Sequence, residues 1–61
     1  MKEYRMYIIR LGRVEPIYQG SIMAKNRKHA ILNFFPEAIM EAYYRGRCGS
    51  IGDYSLMAIK A

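Results

Sequence analysis

The sequence predicts a small two-layer α+β domain in the order β-β-α-α-β: a three-stranded antiparallel sheet of order 2-1-3 with helices on one face. Three observations predict it. Two runs rich in Tyr, Ile and Met are joined by a short glycine-containing connection, the pattern of a hairpin. A helical spacing of Ala30, Ile31 and Phe34 follows the N-capping residue Asn26. The stretch "DYSLMAIKA" then alternates as a strand does.

The first strand is "EYRMYIIRL" and the turn is Leu11-Gly12-Arg13. The second strand lies in "EPIYQGSIMA", with Pro16 at its start, where a missing N–H is tolerated on an edge. Gly20 inside that strand signals a bulge or a close helix contact. Lys25, Arg27 and Lys28 crowd the start of the first helix, where the helix dipole prefers acids, so these cations form a secondary basic cluster with an outside use. Pro36 breaks a helix interior but suits a first helical position. The reading is therefore two helices, 27–34 and 36–45, or one kinked helix over the same span. In the second, Ala38, Ile39, Ala42 and Tyr43 make the buried stripe, Glu41 and Arg45 pair at i,i+4, and Gly46 stops the helix. Gly49 and Gly52 supply positive φ for a tight return, and Asp53 caps the turn into the third strand. A hairpin followed by a helical return places the third strand beside the first.

Side chains alternate across a strand, so each strand offers two faces. Gly20, Ala24 and Ala58 leave room for a helix, which assigns them to the core with Met6, Ile8, Ile22 and Leu56; Tyr4 and Tyr18 share that phase. The other face carries Arg5, Tyr7, Ile9, Met23, Met57 and Ile59, together with Ile17 and the polar Gln19, Ser21 and Ser55. A solvated sheet face reads as mostly polar, and this one does not. It is the expected interface, either of a homodimer or with a foreign partner.

Sixty-one residues make one domain, 1–61. A chain this short buries only about 60% of its unfolded surface, so a partner is expected to add to its core. Cys48 is alone and His29 is the only histidine, too few ligands for a structural zinc site. No metal or cofactor is expected. Ten Lys and Arg against five acids give a net charge of +5, which favours nucleic acid or an acidic partner. No run is long enough for a membrane span, and a lone thiol points to a reducing cytoplasm.

The stretch "YRGRCGSIGDYS" looks like a site. A phosphate loop needs a strand before it and a helix after it, with Lys-Ser/Thr, and here the order is reversed. A cysteine nucleophile needs a base, and His29 is expected at the far end of the sheet from Cys48. No enzyme activity is expected. The glycines are structural, while Arg45 and Arg47 are expected to join Arg10 and Arg13 at one end of the sheet as an anion-facing rim. The functional expectation is a non-catalytic basic binding protein. A phage-type accessory protein or inhibitor is the typical case, acting on a nucleic-acid-handling or nucleoprotein machine such as host defence. The alternatives are direct nucleic-acid binding as a small regulator, and a structural or oligomerising module.

Overall fold

The computed structural model describes residues 1–40 and 48–61. The elements are β1 (Lys2–Arg10), β2 (Ile17–Ala24), α1 (Arg27–Phe34), β3 (Ile39–Met40), β4 (Cys48–Ile51) and β5 (Tyr54–Lys60). All the strands join in one antiparallel sheet of order β2-β1-β5-β4-β3, with α1 packed on one face. The fold is thus mostly sheet, five strands with one short helix among the described residues. This corrects the expected three-stranded sheet with two helices.

The correction turns on residues 35–40 and 48–51. The N–H of Phe35 donates to the carbonyl of Ile31 at 2.7 Å and closes α1. The N–H of Ala38 then donates to the carbonyl of Phe35 at 3.0 Å. Pro36 therefore sits second in a four-residue turn rather than first in a helix. Both positions demand the same φ near −65°, so Pro36 alone does not distinguish them. Ile39 and Met40 pair with Ser50 and Gly49, which makes a strand where the second helix was expected. The remainder of that expected helix, including Ala42, Tyr43, the Glu41–Arg45 pair and Gly46, lies outside the described residues.

The described part of the glycine stretch begins with a strand, β4, which pairs with β5 through Ile51↔Tyr54 and turns over Gly52 and Asp53. Gly49 is needed for space rather than for positive φ. A Cβ there would lie 3.1 Å from the carbonyl oxygen of Ile39 and 3.2 Å from Cγ2 of Ile31. A side chain there would push the helix or β3 back by a few tenths of an ångström.

Asn26 caps α1 as expected, its Oδ1 accepting from the N–H of His29 at 2.9 Å. Eight residues make a helix too short to stand alone in water, so packing has to hold it. Ala30 and Ile31 are fully buried against Tyr4, Met6, Ala24, Leu56 and Ala58. The small side chains at 24 and 58 set the depth of that contact. Burying each of Met6, Ile31 and Leu56 stabilises the fold by about 1.5–3 kcal/mol.

A bulge resets β2. Met6 pairs with Gly20 but Tyr7 pairs with Tyr18, which leaves Gln19 as the extra residue. Because side chains alternate, one extra residue moves everything before it to the opposite face. Ile17 therefore joins Ile8 on the helix side, and Tyr18 joins Tyr7 on the other. Both placements reverse the expectation from simple alternation.

Candidate functional site

The sheet face opposite α1 is built by register. Arg5 sits between Ser21 and Ile59. The next row toward the β1–β2 turn is Tyr18, Tyr7, Met57 and Cys48. Beyond it come Ile9, Ser55, Ser50 and Ile39. The expected interface residues Arg5, Tyr7, Ile9, Met23, Met57 and Ile59 are thus brought together on one surface. Tyr18, Cys48 and Ile39 extend it, and alternation alone missed them. Tyr18, Met23 and Ile59 are 56%, 53% and 45% exposed, so no part of the chain described covers them.

The tyrosines form the ordered part of this surface. The rings of Tyr7 and Tyr18 are 5.6 Å apart at 59°, a tilted pair of the kind aromatic quadrupoles favour. The Tyr18 hydroxyl shares a 2.9 Å hydrogen bond with Oγ of Ser21 across the bulge. The two aromatic side chains thus contact each other on this face. Arg5, one row away, has no hydrogen bond or ion pair with any other residue among those described.

The four arginines expected on one rim are not shown together. Arg45 and Arg47 lie outside the described residues, and the described start of the helix that was to carry Arg45 to that end is a turn followed by β3. Arg10 and Arg13 do meet. They are the first and last residues of one turn, the N–H of Arg13 donating to the carbonyl of Arg10 at 2.9 Å. The N–H of Leu11 donates to the carbonyl of Asp53 at 2.8 Å, tying this turn to the one between β4 and β5. Both arginines line a groove of about 520 Å³ with Ile8, Gly12, Val14, Glu15, Ile17 and Tyr54.

Of the secondary basic cluster, Arg27 has a structural use: its Nε donates to the carbonyl of Ala58 at 3.2 Å. Ala58 lies one residue beyond Met57, the last β5 residue paired with the described part of β4, and the guanidinium supplies the donor there. Lys25 and Lys28 stay exposed at the helix start. Lys2 pairs with Ala24 and Lys60 with Tyr4, so both belong to the same end of the sheet.

Cys48 is half-buried opposite Met57 on the helix-free face, whereas His29 is exposed on α1, on the other side of the sheet. A full sheet layer separates thiol from imidazole. Among the described residues no three His, Cys, Asp or Glu side chains group as metal ligands, and no helix is long and apolar enough to cross a membrane. No protein-family model, curated protein or solved structure matches this chain.

Proposed function

We propose that this is a non-catalytic binding protein that docks the helix-free face of its sheet on an acidic protein or nucleoprotein complex. The observation that carries the reading is a face that no described residue covers, with Tyr7 and Tyr18 held against each other beside Arg5, which has no hydrogen-bond or ion-pair partner among the described residues. Interface cores are enriched in aromatic residues, methionine and arginine, the types that Tyr7, Tyr18, Met23, Met57 and Arg5 bring to this face, while Glu3 opposite Met23 places an acid at its border. Tyrosine and arginine are also the residues that most often dominate binding energy. A net charge of +5 steers such a surface toward acidic targets. An accessory inhibitor that blocks a nucleic-acid-handling machine would work in this way, by covering a surface rather than by turning over a substrate.

Direct nucleic-acid binding is the second reading, because exposed tyrosines on a sheet can stack unpaired bases. Among the described residues the face carries one cation, Arg5, so phosphate contacts from these residues would have to come from the basic end of the sheet.

Capture from lysate with immobilised wild-type protein and with an Arg5→Ser, Tyr18→Ala double variant tests the proposal. Identified acidic or nucleoprotein partners should be held by the wild type and lost by the variant, while both melt at the same temperature. Equal capture by both would remove the face from the argument. Tight binding to bare oligonucleotide, with affinity falling at a log–log slope of about −0.7 per phosphate neutralised on a single strand, would favour the second reading.

A further inference from the structure

We propose that the groove between the β1–β2 loop and the adjoining strand ends binds a nucleoside monophosphate. This site is on the helix side of the sheet, so it stands apart from the docking face and can fail independently of it. Ile8, Arg10, Ile17 and Tyr54 share that side by register, through the pairs Ile8↔Ile17 and Arg10↔Tyr54. Ile17 and Tyr54 are 53% and 38% exposed, so the helix leaves this end of its own face open. Gly12, Arg13, Val14 and Glu15 from the loop complete the lining.

Size, apolarity and charge each narrow the ligand. A volume of about 520 Å³ falls in the range of small-molecule sites, and an apolar floor with a few polar groups is their usual make-up. Arg10 and Arg13 have no hydrogen-bond or ion-pair partner for their side chains among the described residues. Two guanidiniums suit a phosphate monoester, which carries a charge of about −1.5 to −2 at neutral pH; a carboxylate would need only one of them. Their turn is pinned by the Arg13–Arg10 and Leu11–Asp53 backbone hydrogen bonds, so the main chain that carries the two cations is fixed beside the groove. Tyr54 offers a ring to a base, and Ile8, Ile17 and Val14 offer apolar contact. Glu15 also has no partner among the described residues and accepts hydrogen bonds, which fits ribose hydroxyls or an exocyclic amine on the same ligand.

Titration of the full chain with AMP, followed by amide and side-chain NMR, tests this directly, with adenosine and inorganic phosphate as partial probes. AMP should shift the resonances of Ile8, Gly12, Ile17 and Tyr54, and each partial probe should bind at least about tenfold more weakly. Arg10→Ala and Arg13→Ala should each weaken AMP about tenfold with melting unchanged, since both side chains are exposed. Tyr54→Leu should weaken AMP while leaving phosphate as it was. The proposal is overturned if millimolar AMP leaves these resonances in place, if the shifts map to Lys25 and Lys28 instead, or if phosphate alone binds as tightly as AMP. Unchanged AMP binding in the double arginine variant would overturn it too. Loss of partner docking in the Arg5→Ser, Tyr18→Ala variant with AMP binding intact would keep the two sites separate.

Discussion

Gly20 of β2 and Phe34 of α1 meet closely enough that a Cβ on the glycine would stand 3.3 Å from Cζ of the ring. The same glycine has φ of +138°, a conformation that other residues rarely adopt. One residue thus sets both the bulge and the seat of the helix. Gly20→Ala is expected to destabilise the fold by about 1–3 kcal/mol in urea unfolding, from strained backbone and a displaced ring together. Gly12→Ala is the control. Gly12 also has positive φ, +83°, but nothing lies within 4 Å of its Cβ position, so only the backbone cost of roughly 1–2 kcal/mol applies. If the two variants cost the same, the Phe34 contact is not limiting.

Cys48 gives a second prediction. Its thiol is half-buried beside Met57 on the helix-free face, a sheet layer away from His29. Cys48→Ser should keep fold and partner binding, with a stability change within about 1 kcal/mol. Coupling a bulky maleimide to Cys48 should instead block docking, because the adduct would stand among Met57, Tyr7 and Ile39. Docking that survives the adduct would move the interface elsewhere. Activity lost in the serine variant at unchanged melting temperature would restore the thiol as a reactive group.

How much of this was legible in the sequence depends on which forces are local. Asn26 and the alternation of 54–60 act within a few residues, so their caps and faces could be read directly. The change of face at Gln19 was half legible: Gly20 signalled a bulge, but its effect on Tyr18 and Ile17 appears only when the register with β1 is known. The strand at Ile39–Met40, where a second helix was expected, was not legible at all. Ile39 and Met40 take strand form because Gly49 and Ser50 complete their hydrogen bonding from nine or more residues away, and short apolar runs are ambiguous until such a partner is placed. The groove was hidden for the same reason. Arg10 and Arg13 were singled out as cations, but their neighbour Tyr54 reaches them through the β1–β5 ladder.

Self-association is the remaining prediction, and the edge of the sheet supplies its mechanism. β2 is a terminal strand in the sheet order, and its eight residues, "IYQGSIMA", include no charged side chain. Natural edge strands are commonly blocked by charge, especially lysine, against pairing with another copy. Here only the bulge and Pro16 interrupt the edge. Two copies pairing β2 to β2 in antiparallel fashion would form a two-fold dimer, the commonest symmetric assembly, and would join the two helix-free faces into one larger surface. Sedimentation equilibrium should show a dimer at micromolar concentration. Met23→Lys places a charge on the edge strand and should weaken the dimer roughly tenfold, about 1.4 kcal/mol, with the monomer still folded. Ile59→Glu separates edge pairing from face-to-face stacking, since β5 lies two strands in from that edge. It should leave an edge-paired dimer intact but would break a stacked one. A monomer at millimolar concentration with the wild-type fold would sink both arrangements, and the open face of Tyr7, Tyr18 and Arg5 would then belong wholly to a foreign partner.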